Sequence, residues 1–158
     1  MTAQRPVPGR EPAAALPDKT GTESLTGIER LTDEDMKMSR ILIVDDSPTE
    51  IHVLKTMLEK NGHQATAANN AEEGIAMAKA EQPDLILMDV VMPGLNGFQA
   101  TRQLSKDPAT TAIPVLIVTT KDQDTDRVWA MRQGAKDYLT KPVREADLVG
   151  KIKTALGG

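Results

Sequence analysis

Polar side chains able to do chemistry lie at or just after the ends of apolar runs at four places in the chain. Asp45 and Asp46 end the aliphatic run 41–44, and Asp89 ends the run 85–88. Thr119 follows the run 115–118, and Lys141 comes shortly after a weaker apolar stretch. Continuous aliphatic runs of this length are typical of strands buried on both faces of a parallel sheet. Because open α/β sheets bind ligands at the carboxyl ends of their strands, we expect these five side chains to share one pocket.

These residue types point to phosphoryl transfer assisted by a metal ion. Carboxylates crowded into one pocket repel each other, and a hard divalent cation such as Mg²⁺ relieves the repulsion because it prefers oxygen ligands. An aspartate beside such a cation can attack a phosphoryl group and form an acyl phosphate. A lysine and a hydroxyl group would neutralise and orient the phosphoryl oxygens. Each residue alone has an ordinary explanation as a cap, a turn or a surface group, so the combination carries the argument.

The elements that must position these side chains form a regular alternation. Strands are predicted at 41–44, 64–68, 85–88, 115–118 and 137–139. Helices are predicted from Pro48 to a stop at Asn61, and at 71–80, 98–106, 125–133 and 145–156. Ser47 and Pro48 provide an N-cap and a proline at the first helical position. Five such units predict an α/β fold, with a parallel sheet and helices on both of its faces.

Composition narrows the function classes. The net charge is −4, which argues against a nucleic-acid-binding surface. The chain has no cysteine, which excludes disulfides, thiolate metal sites and thiol catalysis. No apolar run approaches the roughly 18 residues of a membrane span, and the N-terminus lacks the apolar stretch of a secretory signal. We therefore expect a cytoplasmic protein that neither enters a membrane nor binds nucleic acid.

The first 38 residues differ from the rest of the chain. They contain four prolines and no sustained apolar periodicity, so we expect a disordered N-terminal extension at 1–38 and one domain at 39–158. Met36 or Met38 is an alternative natural start, in which case the extension is not part of the native protein.

Four segments together, at 41–47, 87–97, 118–120 and 134–142, resemble the response-regulator receiver domains of bacterial two-component signalling. The likeness extends from Ser39 to about Leu156. It implies a flavodoxin-like, CheY-like (βα)5 fold whose five parallel strands lie in the order 2-1-3-4-5, with helices on both faces.

The resemblance also implies a role for each matching residue at the metal site. Asp89 corresponds to the phosphoacceptor and Asp46 to the direct carboxylate ligand of Mg²⁺. Asp45 corresponds to the neighbour that acts mainly through metal-bound water, and the backbone carbonyl of Val91 to a further protein ligand.

A second group of matching residues corresponds to the switch. Thr119 matches the switch hydroxyl, and Tyr138 matches the aromatic residue that turns inward when this hydroxyl moves toward the phosphoryl group. Lys141 matches the phosphate-binding lysine and is expected to precede a cis peptide bond to Pro142.

The implied partners are a CheA-like histidine kinase and a downstream protein that binds the fourth helix, fifth strand and fifth helix, at about 125–156. Trp129 lies in this region and either packs at the edge of the core or contacts the partner. Segments 45–50, 96–104 and 118–123 are similar to the regulators of twitching motility by type IV pili. Because the chain ends soon after its last helix, we expect no attached output domain. Output would then come from partner binding.

Three alternatives remain open at the level of sequence. The protein could drain phosphate from a kinase shared with another regulator. It could be a Mg²⁺-dependent phosphatase with an aspartyl nucleophile, although such enzymes carry an acid where this chain has Val91. It could be a degenerate receiver, although the complete polar set argues against this. In the preferred interpretation it is not a conventional enzyme and catalyses only its own phosphorylation and dephosphorylation.

Overall fold

The computed structural model describes residues 39–157, and the predicted extension at residues 1–38 lies outside them. Five strands alternate with five helices in this part of the chain. The strands are β1 (Arg40–Val44), β2 (Gln64–Ala68), β3 (Leu85–Met88), β4 (Val115–Thr119) and β5 (Asp137–Thr140). The helices are α1 (Pro48–Lys60), α2 (Ala71–Glu81), α3 (Gly97–Lys106), α4 (Asp124–Arg132) and α5 (Glu145–Ala155).

The strands form one parallel sheet in the order β2-β1-β3-β4-β5, which confirms the predicted fold class and strand order. The central pairing joins Val44 of β1 to Met88 of β3, so these two strands end side by side. Farther across the sheet, Thr119 at the carboxyl end of β4 is paired with Thr140 at the carboxyl end of β5. Residues at or just after the carboxyl ends of these four strands therefore lie along the same edge of the sheet.

Each face of the sheet is covered by its own apolar core. One face packs Leu42, Val44, Ile86, Met88 and Ile117 against residues of α2, α3 and α4. The opposite face packs the alternating strand residues against α1 and α5. Because neighbouring strand residues point to opposite faces, a strand segment covered on both sides must be continuously apolar, as residues 41–44 of β1, 85–88 of β3 and 115–118 of β4 are. The aliphatic runs in the sequence are therefore explained by two cores on one sheet.

Element boundaries differ from the predicted ones by one residue at most where bounds were predicted, and capping explains several of the shifts. Helix α3 begins at Gly97 because Asn96 is the N-cap and forms a capping box with Gln99. Strand β4 extends to Thr119 because its carbonyl accepts a hydrogen bond from the backbone N–H of Lys141 at 2.8 Å. Among residues 39–157, no helix is both long and apolar enough to cross a membrane.

Candidate functional site

The backbone places the acidic residues at the carboxyl edge of the two central strands. The N–H of Asp89 donates to the carbonyl of Val44 at 2.9 Å, which continues the β1–β3 ladder one residue beyond β3. On the other side of β1, the N–H of Asp45 donates to the carbonyl of Ala68 at 3.1 Å. The backbone of both residues is thus held by sheet hydrogen bonds and does not belong to a loose loop.

The carboxylates of Asp45, Asp46 and Asp89 lie together, with one oxygen of each within 4.8 Å of the others. Asp45 and Asp89 are buried, whereas Asp46 is exposed. An all-oxygen donor set with one open side fits a hard divalent cation, which takes carboxylates and keeps some of its water. The residues present therefore fit a Mg²⁺ site, and the open side leaves room for a further ligand.

Lys141 reaches into this cluster from the end of β5. Its ammonium lies 2.7 Å from Asp45 Oδ2 and 3.9 Å from Asp89 Oδ1, and its side chain is only 8% exposed. The other oxygen of Asp45 accepts a hydrogen bond from the N–H of Ser47 at 2.9 Å. The peptide bond between Lys141 and Pro142 is cis, as the resemblance implied.

Asp89 has a perturbed acidity. Burial raises the pKa of its carboxyl group, and repulsion from Asp45 raises it further, while the Lys141 ammonium lowers it. Hydrogen bonds from the Val90 N–H and the Thr119 hydroxyl also lower this pKa, but the net shift is upward. A bound cation would oppose the shift by favouring the charged form.

Thr119 and Tyr138 are connected through Lys121. The Thr119 hydroxyl oxygen accepts a 3.4 Å hydrogen bond from the N–H of Lys121, and the Tyr138 hydroxyl donates to the carbonyl of Lys121 at 2.7 Å. Tyr138 is buried, and the guanidinium carbon of Arg127 lies 5.0 Å from the centre of its ring. The tyrosine points inward here and ties β5 to the loop between β4 and α4.

The loop after Asp89 folds back over the end of β3. Its closing hydrogen bond runs from the N–H of Gly97 to the carbonyl of Val90 at 3.0 Å. A Cβ atom at position 97 would overlap the carbonyl oxygen of Asp89, so only glycine allows this approach. Within the same loop, the side chain of Val91 is 59% exposed.

The structure brings Asp45, Asp46, Asp89 and Lys141 into one pocket and places Thr119 at its edge. Sequence reasoning missed Glu50 and the backbone of Lys121. Glu50 Oε1 lies 3.9 Å from Lys141 Nζ, although the two residues are far apart in sequence. From sequence, the position of Glu50 in the first turn of α1 indicates that it lies near this edge of the sheet. Nothing in the sequence indicates that its partner is Lys141.

Comparison with known proteins places the sequence of this chain in a family. The family model described as "Response regulator receiver domain" matches residues 41–153. Protein PilH of Pseudomonas aeruginosa is 65% identical over 121 residues, which are 77% of this chain and 100% of PilH. Response regulator PleD of Caulobacter vibrioides is 37% identical over 116 residues, which are 73% of this chain but 26% of PleD.

Solved structures agree with the sequence relatives. A putative response regulator from Chloroflexus aurantiacus has a TM-score of 0.74 and 30% identity, covering 77% of this chain and 100% of its own. The receiver domain of sensor histidine kinase PA1611 from Pseudomonas aeruginosa, which has a magnesium ion coordinated in its active site cleft, has a TM-score of 0.71 and 29% identity. That match covers 77% of this chain and 99% of the PA1611 domain. With its strand order, its acidic edge and these matches together, the chain belongs to the response-regulator receiver family of two-component signalling.

Proposed function

We propose that this protein is a response regulator that accepts a phosphoryl group on Asp89 from a CheA-like histidine kinase. The observation that carries the proposal is the position of the Asp89 carboxylate, buried beside two other aspartates and 3.9 Å from the Lys141 ammonium. A buried carboxylate beside a cation site and a lysine can be a nucleophile, whereas a carboxylate that only caps a turn does not need these neighbours.

Phosphoryl transfer to Asp89 forms one bond to phosphorus and breaks one. An oxygen of the Asp89 carboxylate forms a bond to phosphorus while the bond between phosphorus and the kinase imidazole nitrogen breaks. The electron pair of that bond goes to the imidazole, which then takes a proton from solvent. Lys141 neutralises the phosphoryl oxygens, and the Thr119 hydroxyl donates a hydrogen bond to one of them.

Asp45 and Asp46 would hold Mg²⁺ together with Asp89 and the backbone carbonyl of Val91. When bound, the ion supplies positive charge that offsets the charge on the carboxylates and on the phosphoryl oxygens. The raised pKa of Asp89 is consistent with this assignment, since burial and the charge of Asp45 disfavour its ionised form and a bound cation would favour that form.

Signalling would depend on Thr119 and Tyr138. If Thr119 turns toward a phosphoryl group, its contact with the N–H of Lys121 is lost, and the loop that Tyr138 holds is free to shift. The loop leads into α4, where the side chains of Val128, Trp129 and Met131 are exposed. We propose that α4, β5 and α5 form the surface that binds the downstream partner.

The first test is phosphorylation by acetyl phosphate with Mg²⁺, followed by intact mass analysis. One phosphoryl group is expected on the wild type, labile to mild base, and none on Asp89→Asn. Asn has the same shape but lacks the nucleophile, so undiminished labelling of this variant would overturn the assignment.

We also propose a role in twitching motility, which rests on 65% identity to PilH over the whole length of that protein. The chain should restore twitching in a Pseudomonas aeruginosa strain that lacks PilH, and Asp89→Asn should not.

A Trp129→Ala/Met131→Ala variant separates output through partner binding from action as a phosphate sink. It should keep its phosphorylation rate in either case, but it should restore motility only if the protein acts as a sink.

A further inference from the structure

The ammonium of Lys141 has carboxylate oxygens within 4 Å from three different elements of the fold. Asp45 follows β1, Asp89 follows β3, and Glu50 belongs to the first turn of α1. The distances are 2.7 Å to Asp45 and 3.9 Å to each of the other two. Asp45 and Asp89 belong to the proposed phosphorylation site, whereas nothing in that chemistry assigns a task to Glu50.

We propose that Glu50 is a positioning residue that holds Lys141 in its resting place and thereby opposes phosphorylation of Asp89. The inference rests on the proposed function. It makes Glu50 a determinant of how readily the site accepts a phosphoryl group, without any contact between Glu50 and the reacting atoms.

The resting position of Lys141 is not the one that the phosphorylated state needs. To neutralise a phosphoryl group on Asp89, the ammonium must move away from Asp45, its nearest partner. Glu50 attracts the ammonium where it now lies, so the charge of Glu50 stabilises the resting position. The same charge repels an incoming phosphoryl dianion. Both effects favour the unphosphorylated protein.

The position of Glu50 suits this task. Its side chain is 40% exposed, so its ion pair with Lys141 contributes little to the stability of the fold. Lys141, in contrast, is nearly buried, where charges are less screened by solvent. A change of charge at Glu50 should therefore affect the chemistry of Lys141 more than it affects folding.

The test compares Glu50→Gln with Glu59→Gln in the full chain. Both substitutions remove one negative charge from α1, but Glu59 lies exposed in the last turn of the helix, away from the strand ends that carry the site. Phosphorylation rates are measured at saturating Mg²⁺ with acetyl phosphate, a dianion at neutral pH, and with phosphoramidate, a monoanion. These small donors have no protein surface, so they report on the site and not on kinase docking.

Glu50→Gln should be phosphorylated about twofold to fivefold faster than wild type by acetyl phosphate, because one repulsive charge near the site is removed. The acceleration should be smaller with phosphoramidate. Glu59→Gln should match the wild type, and Glu50→Asp, which keeps the charge, should lie closer to the wild type than Glu50→Gln does.

A second measurement needs neither Mg²⁺ nor a donor. In metal-free protein labelled at lysine Cε, the NMR resonance of Lys141 should shift in Glu50→Gln and stay in place in Glu59→Gln. Lys141→Arg identifies the resonance.

The outcomes separate this inference from the function on which it rests. If the wild type takes no phosphoryl group from either donor, the proposed function fails. If the wild type is phosphorylated but Glu50→Gln behaves like Glu59→Gln in rate and resonance, Glu50 does not position Lys141. Equal acceleration with both donors and no shift of the Lys141 resonance would also overturn the inference, since the gain would then come neither from lost repulsion nor from a released Lys141.

Discussion

Asp89 combines its proposed chemical task with a cost to stability. Its pKa is raised, chiefly by burial, so the native state binds its proton more tightly than the unfolded chain does. The contribution of Asp89 to the free energy of unfolding is then fully present below the ordinary carboxyl value, about pH 4, and is lost as the pH rises through the raised pKa of the folded state. Without Mg²⁺, Asp89→Asn should therefore unfold at higher denaturant concentration than wild type at pH 7. This gain should vanish near pH 4, and a gain that is the same at both pH values would contradict the argument.

Tyr138 offers a second titration, since it is the single tyrosine of the chain. Burial, together with the negative charge of nearby Asp126, raises its pKa to about 12, although the positive charge of Arg127 acts in the opposite direction. Absorbance should show phenol ionisation well above pH 10 in the folded protein and near pH 10 in denaturant. Because the pKa of Tyr138 is higher in the folded state, the contribution of this group to the free energy of unfolding is present below pH 10 and is lost as the pH rises toward 12. Ionisation near pH 10 in the folded state would place the ring in solvent.

Val91 should prolong the life of the phosphoryl group. Its side chain is exposed at the edge of the site and has no polar atom that could orient a water molecule for attack on phosphorus. Positioning the nucleophile is a main source of acceleration in this chemistry. Val91→Asn should therefore lose phosphate about tenfold faster, which corresponds to about 1.4 kcal/mol of barrier. Phosphate release is measured at fixed Mg²⁺ and pH, and an unchanged rate would reject the role of Val91.

Gly97 shows how an element depends on one residue. An added Cβ would overlap the carbonyl of Asp89, so Gly97→Ala must displace either the start of α3 or the backbone of Asp89 at the proposed phosphorylation site. We expect it to destabilise the domain by about 1–3 kcal/mol, the usual range for overpacking. The matched control is Gly150→Ala in α5, where nothing lies within 4 Å of the added atom. That change should stabilise the protein by about 0.5–1 kcal/mol, because alanine favours the helix. Urea unfolding should give opposite signs, and equal signs would contradict the close approach at Gly97.

Secondary structure was largely predictable because the strong strands are buried on both faces. The aliphatic runs 41–44, 85–88 and 115–118 have no polar residue on either face, so a buried strand was the clear prediction for each. The weaker strand β2 lies at the sheet edge, where burial alternates, and its prediction depended on the surrounding helices. The boundaries were less predictable because they depend on caps such as the pair Asn96 and Gln99, whose two hydrogen bonds become visible only in the structure.

The grouping of acidic residues was predictable from topology, but the pairing of charges was not. Strand ends converge in any parallel sheet, so Asp45 and Asp89 could be placed together from sequence. Lys141, which faces them, lies 96 residues from Asp45 in sequence. Which of the three nearby carboxylates it binds most closely depends on differences in distance of about an ångström. The same limit explains why Glu50 was missed.

At the scale of the whole molecule, the cation site and the fold should be coupled. A ligand that binds only the native state stabilises it by about 2.7 kcal/mol when its concentration is about a hundred times Kd. Mg²⁺ should therefore raise the Tm of the wild type in a concentration-dependent way. Asp46→Ala should lose most of this response, whereas Glu59→Gln, which removes a charge away from the site, should keep it. Calorimetry with and without EDTA measures both, and a full response in Asp46→Ala would place the ion elsewhere.

The position of Trp129 has a practical consequence for solution experiments. It is the single tryptophan of the chain, and its side chain is 50% exposed on α4. Intrinsic fluorescence therefore reports on this helix and not on the core. Unfolding should change the emission wavelength little, because the indole is already half in water. A partner that covers α4 should instead cause a blue shift, so the protein contains its own optical probe for the surface proposed to transmit its signal.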